Sequence, residues 1–225
     1  MSEAVDFDLA GARLSARAAG TLWWPEMRLL CVSDLHLGKS ERIARRGGAL
    51  LPPYEVEDTL ARLDAELAAL EPEAVICLGD SFDDLAAADL PEAAALWLAR
   101  MMAGRRWIWI EGNHDPGPVA VGGEHRAEWQ HGPLAFHHIA AAGAAGPVSG
   151  EVSGHYHPKA RLVVKGQALS RPCFLIDGAR VVMPAFGTYT GGLGWTDPAL
   201  AGLMAPGARA VLTGPRAICL PLPRR

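Results

Sequence analysis

Met27-Arg28-Leu29-Leu30-Cys31-Val32-Ser33-Asp34-Leu35-His36 decides how this chain folds, because an apolar strand runs straight into two cation-binding side chains. Three more stretches repeat the pattern. Ala74 to Leu78 leads into Gly79-Asp80, Trp107 to Ile110 into Gly112-Asn113-His114-Asp115, and a fourth ends in Gly154-His155-Tyr156-His157. Open α/β sheets gather their ligands in loops just past the C-terminal ends of buried strands. Pooled on one such edge, the four segments supply carboxylates, imidazoles and an amide. That set can hold two divalent ions a few ångströms apart, an arrangement suited to hydrolysing phosphate esters.

Each piece is modest alone. Asp34 and His36, like His155 and His157, stand two residues apart, and on an extended segment such side chains point the same way. Asp34 reads equally as a turn residue with His36 exposed. Asp80 gains interest as a bridge, since a carboxylate has two oxygens to share. Asn113 offers a neutral carbonyl oxygen, which suits Mn²⁺ or Mg²⁺ better than zinc in a thiolate site. His114 is then free for proton transfer, with Asp115 placed to orient it. One of His137 and His138 is expected to complete the second ion. Neighbours on a strand face opposite ways, so only one can point at the site, and His138 is favoured. His125 and His131 lack a ligand-like setting and are expected to be exposed.

The remaining pattern frames these loops. Residues 1–30 read as a β meander, with turns at Gly11 and Gly20. Val56, Leu60, Leu63, Leu67 and Leu70 have the spacing of an amphipathic helix over Glu55–Leu70. Pro91 suits the first turn of a second helix reaching Ala103. Strand, helix, strand, helix, strand up to Ile110 implies right-handed crossovers and a parallel core. After Asp115 short apolar pieces alternate with Gly- and Pro-containing turns: Leu134 to Phe136, Arg161 to Val164, Cys173 to Ile176, Val181 to Met183 and Ala217 to Leu220. These predict a second, more antiparallel sheet. The expected fold is α/β, two facing sheets flanked by helices, in one domain spanning residues 1–225. Ala140 to Ala145 is expected to be a loop or short helix.

Composition narrows the class. Half of the 225 residues are apolar and the formal charge is −4, which suits a globular protein without a chain-wide polyanion-binding surface. Cys31, Cys77, Cys173 and Cys219 lie far apart in apolar segments and read as reduced core residues. The acidic start lacks a signal-peptide pattern, and no apolar stretch reaches the ~20 residues needed to span a bilayer. A cytoplasmic protein is expected, with a homodimer as the commonest assembly. Lys39, Arg42, Arg45 and Arg46 follow the first ligand pair, either as a solvated helix start or as a phosphate-gripping edge. Trp23, Trp24 and Tyr54 could stack on bases or simply pack.

The series D-x-H, GD, GNHD, lone His and GHxH resembles the calcineurin-like metallophosphoesterase superfamily. The resemblance implies a four-layer αββα sandwich with a dinuclear site. Residue by residue, it implies one ion on Asp34, His36, Asp80 and His157. The other would sit on Asp80, Asn113, His138 (or His137) and His155, with His114 as the catalytic histidine. Gly20 to Glu26, Asp34 to Lys39, Arg45-Arg46-Gly47 with Leu51-Pro52, and Pro184 to Gly192 further resemble the bacterial ligase-associated DNA damage response endonucleases. That branch implies an Mn²⁺-dependent phosphodiesterase, with Mg²⁺, Zn²⁺ or Fe as alternatives. It also implies DNA as substrate and association with a DNA ligase and a helicase. The chain departs from the branch at Asp83, where a histidine is expected. Two competing functions are a phosphodiesterase or pyrophosphatase for a small nucleotide, cyclic nucleotide or nucleotide-lipid, and a non-catalytic interaction module.

Overall fold

Alternation within single strands builds the core. The computed structural model describes residues 3–48, 51–141 and 150–223. Its first sheet runs, in spatial order, β1 (Ala4–Leu9), β2 (Ala12–Arg17), β3 (Leu22–Trp24), β4 (Leu29–Val32), β5 (Ala74–Leu78), β6 (Arg106–Ile110) and β7 (Glu124–Arg126). The meander β1 to β4 is antiparallel, and β4 to β7 are parallel. Helices α1 (Lys39–Arg45) and α2 (Glu55–Leu70) connect β4 to β5, and α3 (Glu92–Met102) connects β5 to β6. Val75, Cys77, Trp107 and Trp109 face Leu60, Leu63, Leu67 and Leu98 of those helices. Their neighbours Ile76, Leu78, Ile108 and Ile110 face the other sheet.

That second sheet comprises β8 (Glu128–His131), β9 (Leu134–His137), β10 (Gly150–Ser153), β11 (Lys159–Val164), β12 (Gln167–Ile176), β13 (Arg180–Val182), β14 (Arg209–Leu212) and β15 (Ile218–Pro221). The path is β15-β14-β12-β13-β10-β9-β8, with β11 paired to β12. Strands β9, β10 and β13 are mutually parallel and the other pairings are antiparallel. Phe136, Val152, Phe174, Ile176, Val181 and Met183 meet the first sheet across the central seam. Each such side chain contributes about 1.5–3 kcal/mol by burial. The outer face packs on Trp195, Met204 and, from α4 (Pro198–Ala201), Leu200, so among the described residues the fourth layer is one short helix plus loops.

Several expectations need correction. Met27 belongs to a 3₁₀ turn, Pro25–Met27, and the strand begins at Leu29. Strands β7, β8 and β14 have no counterpart in the apolar patterning, β7 and β8 because they are polar. The run expected to lead into Gly154 proves to be β10, which carries Glu151 and is not apolar throughout. Cys31, Cys77 and Cys173 are buried, but Cys219 is exposed on β15. His125 and His131 are half-buried, stacked on Trp109 and Trp129 respectively. Of the segment Ala140 to Ala145, residues 142–145 lie outside the described residues.

Candidate metal centre

Parallel strands β4, β5 and β6 in one sheet and β9 and β10 in the other end on a common rim, and every candidate ligand leaves from one of those ends. The exits are sharply kinked. Asp34, His36, Asp80, His155 and His157 all adopt left-handed backbone, with φ of 53°, 46°, 46°, 69° and 46°. Left-handed non-glycine residues cost of order 1–3 kcal/mol each and persist where surroundings over-determine them. The extended geometry expected for Asp34–His36 and His155–His157 is therefore corrected. With alternate residues turned left-handed, Asp34 and His36 converge, whereas His155 and His157 part to serve different clusters. Asp34 and His36 join His157 in one cluster, and Asp80 joins His138 and His155 in the other, each with ligand atoms within 4.8 Å of one another.

Hydrogen bonds on the far side of each ring settle which nitrogen is bare. His138 Nδ1–H donates to the Leu78 carbonyl oxygen at 3.0 Å, so Nε2 presents a lone pair. That nitrogen faces Asn113 Oδ1 at 3.0 Å, His155 Nδ1 at 3.3 Å and Asp80 Oδ2 at 3.4 Å. With Nε2 unprotonated, four electron-pair donors crowd one point, and positive charge there, whether a proton shared with Asp80 or a cation, reconciles them. His36 Nδ1–H likewise donates to Asp83 Oδ1 at 2.7 Å, turning Nε2 towards His157 Nε2 at 3.4 Å and Asp80 Oδ2 at 3.9 Å. His157 Nε2 is also 3.0 Å from Asp34 Oδ1. A carboxylate or carbonyl fixing the remote nitrogen is how metal-binding histidines are usually oriented. Hard oxygens plus imidazoles and no thiolate form a donor set suited to Mn²⁺, Fe or Zn²⁺, so the residues present fit a pair of divalent ions.

Packing leaves no slack around this rim. A Cβ on Gly79 would lie 2.3 Å from His138 Nδ1, and one on Gly112 would lie 2.2 Å from the Asp80 amide nitrogen. Both glycines are therefore needed for close approach. Burial works to raise the Asp34 and Asp80 carboxyls. Hydrogen bonds and charge from His157 and His138 outweigh it, holding both below the usual carboxylate range.

Asp115 requires a correction. It does not orient His114: its two oxygens accept the amide protons of Asp80, Ser81, Phe82 and Gly112 at 2.8–3.1 Å, locking the β5 exit to the β6 exit. Burial pushes its carboxyl up to about 6 despite those amides. His114 is instead held through Nδ1–H to the Asp83 carbonyl oxygen at 2.8 Å, leaving Nε2 4.0 Å from Asp80 Oδ2. His138 faces the cluster, whereas His137 turns away to Glu151 at 2.7 Å.

Two features escape sequence reading. Fully buried Asp83 supports His36 and also accepts from Arg42 Nε, with Lys39 Nζ at 3.7 Å. Burial would raise Asp83, but His36 and Arg42 bring it down to about 2. The signal in the sequence was an acid three residues beyond Asp80, aligned with cations some forty positions upstream. Lys39 and Arg42 are thus occupied by Asp83, and Arg45 pairs with Asp84 at 3.0 Å. Arg46 is exposed with no ion pair among the described residues.

Comparison with known proteins bears on the same rim. Residues 27–170 match the family model described as calcineurin-like phosphoesterase. Among solved structures, the chain is similar to the crystal structure of Pseudomonas putida nuclease MPE, with 29% identity and a TM-score of 0.73. That likeness covers 96% of this chain and 100% of the other. No curated protein sequence matches. Among the described residues no helix is long and apolar enough to cross a membrane. Since the family model takes in well over half the chain and the two-sheet scaffold is shared along nearly its full length, this protein belongs to the calcineurin-like phosphoesterases and is a metal-dependent phosphoesterase.

Proposed function

We propose that the chain is a dinuclear-metal phosphodiesterase that cuts DNA, acting in the cytoplasm in a repair setting alongside a DNA ligase and a helicase. The two ligand groupings on one rim, Asp34 with His36 and His157, and Asp80 with His138 and His155, carry the two-ion part. Similarity to a nuclease supports the DNA part. Asp34, His36 and His157 would hold one ion, and Asn113, His138 and His155 the other, with Asp80 between them. Mn²⁺ is the expected metal. When bound, two such ions supply Lewis-acid charge to the phosphate oxygens and lower the pKa of water from 15.7 to about 7.

The residues of the chain divide the remaining work. Asp83 keeps His36 in the tautomer whose Nε2 is bare, and Leu78 does the same for His138. With Nδ1–H committed to the Asp83 carbonyl oxygen, a proton taken up by His114 sits on Nε2, facing the cluster. From there it can pass that proton to the departing alkoxide, a contribution typically worth ~10²–10⁴-fold. Asp115 holds the loops carrying Asp80 and Asn113 at fixed separation.

The test is a panel at saturating Mn²⁺: nicked, single-stranded and duplex DNA, a cyclic dinucleotide and a chromogenic diester, with His114→Ala as the control for contaminating nuclease. DNA cleavage that His114→Ala abolishes supports the proposal. Turnover of the cyclic dinucleotide with DNA untouched would reassign the substrate. The variant is expected to bind both ions while losing ~10²–10⁴-fold in turnover of poorly activated diesters.

A further inference from the structure

Charge is segregated along this chain in a way the net value of −4 conceals. Residues 1–153 carry twelve Lys and Arg against 23 Asp and Glu, net −11, and residues 154–225 carry nine against two, net +7. Pairing is segregated as well. Ten of the twelve upstream cations form ion pairs, such as Arg17 with Glu66, Arg62 with Asp58 and Arg106 with Glu124. Downstream, Arg180 pairs with Glu151. Lys159, Arg161, Lys165, Arg171, Arg209 and Arg216 form no ion pair among the described residues. The two acids there are occupied locally: Asp177 accepts from the Ala179, Arg180 and Ala205 amides, and Asp197 from that of Ala199.

Topology carries part of this unpaired charge, on Lys159, Arg161 and Lys165, to the metal rim. Strand β13 is parallel to β10, and β12 is antiparallel to β13. The Cys173 end of the β12–β14 pairing therefore lies where β10 delivers Gly154 to His157. Residues 167–171 have β11 as their only strand partner, so the hairpin projects past the rim. Its first strand starts two residues after His157, at Lys159, whose Nζ donates to the Thr190 carbonyl oxygen at 2.9 Å. Arg161 follows on the same face, and exposed Lys165 stands in the two-residue turn at the tip with φ 51°. At about 3.3 Å per residue, Lys159 to Lys165 spans about 20 Å. Its root is tied down, since the Lys159 amide donates to Leu193 and its carbonyl accepts from Trp195.

We infer that the β11–β12 hairpin is the strand-gripping arm of the enzyme, a track in which Arg161 and Lys165 hold the sugar-phosphate backbone of a nucleic acid whose neighbouring phosphate lies on the metal rim. This deepens the DNA reading above and rests on it. The arm also reassigns the phosphate grip, because Lys39, Arg42 and Arg45 already face Asp83 and Asp84. The chemistry required of the occupant is a repeating monoanion long enough to reach from the rim to the tip, which a small nucleotide cannot supply.

The experiment measures kcat/KM of the Mn²⁺-loaded enzyme on a single-stranded oligonucleotide and on bis(p-nitrophenyl) phosphate across a salt series. The double variant Arg161→Ala/Lys165→Ala removes two phosphate contacts. On a single strand this lowers the value for the oligonucleotide about 25-fold near 0.1 M salt and flattens the log–log salt slope by about 1.4. The small diester, which cannot reach the arm, is expected to lose far less, and Arg161→Lys/Lys165→Arg is expected to restore oligonucleotide cleavage. Equal losses on both substrates, or no loss on either, overturn the arm. So does wild-type binding to phosphatidylglycerol vesicles that the double variant abolishes while its oligonucleotide kinetics stay normal. Failure of the underlying DNA reading looks different: the wild type would then turn over the small diester and leave the oligonucleotide intact at every salt concentration.

Discussion

Gly79→Ala should disable the metal centre from outside the ligand set. The new Cβ would sit 2.3 Å from His138 Nδ1 and 2.4 Å from Cγ of the same ring. Ordinary carbon–nitrogen contact begins near 3.4 Å, so the imidazole must retreat by about 1 Å, a misplacement that can cost 10²-fold in rate. Retreat also breaks the Nδ1–H bond to Leu78, which keeps Nε2 bare. Loss of such an orienting contact typically weakens metal affinity 10–100-fold. The substitution carries a second penalty, since Gly79 has φ +76° and an L-residue there costs roughly 1–2 kcal/mol. Gly104 separates the two effects. It has φ +75° and open space, with nothing within 4 Å of where a Cβ would stand, so Gly104→Ala incurs only the backbone cost.

Isothermal titration with Mn²⁺ and thermal melts of the chelated proteins read both quantities. Gly104→Ala should melt roughly 2–8 °C lower, at 2–4 °C per kcal/mol for a chain of this size, and Gly79→Ala should lose at least as much. Gly104→Ala should bind Mn²⁺ as the wild type does, and Gly79→Ala should bind it at least tenfold more weakly at the position His138 serves. Wild-type affinity in Gly79→Ala would refute the claim that the β5 exit sets the position of His138.

Three further outcomes are expected. Asp80→Asn should leave fewer than two ions per chain by elemental analysis, and full stoichiometry would remove Asp80 as the shared ligand. Glu151 is buried between His137, the Ala141 amide and Arg180, so Glu151→Gln should cost about 3–5 kcal/mol by removing the carboxylate that faces the buried Arg180 guanidinium. Burial works to raise the Glu151 carboxyl, but those partners hold it below its ordinary value. Its contribution is therefore complete above the ordinary glutamate pKa of about 4.3 and lost as pH falls through the depressed folded value, so acid melts of the variant should lack that component. Finally, a bulky maleimide should label the native chain once, at Cys219, since Cys31, Cys77 and Cys173 are buried and burial raises their thiol pKa.

Local pattern made much of the scaffold legible, and long-range pairing hid the rest. The apolar run Val75 to Leu78 and the spacing of Leu60, Leu63 and Leu67 needed no partner to be recognised. Strand β10 did, because Glu151 is tolerable in a fully buried strand only beside Arg180, 29 positions later. The ligand types were readable for a related reason: the loop after each apolar run is short, so chemistry sits next to the pattern that announces it. The left-handed turns at Asp34, His36, His155 and His157 left no trace, since these residue types also occur on extended backbone. Asp115 was misjudged because its partners are four amides, which no side-chain pattern encodes. Lys39 and Arg42 beside the first ligand pair suggested a phosphate grip only because Asp83 is far away in sequence.

The two ligand clusters each draw on both layers: Asp34 and Asp80 hang from one sheet, while His138, His155 and His157 hang from the other. Cations seated there would rivet the sandwich shut at one end. Occupancy a hundredfold above Kd adds about 2.7 kcal/mol to whatever holds the folded state together. A chelator would then do more than stop turnover. It would unfasten the rim and let the layers splay, so cation supply would govern how long this protein survives as well as how fast it works.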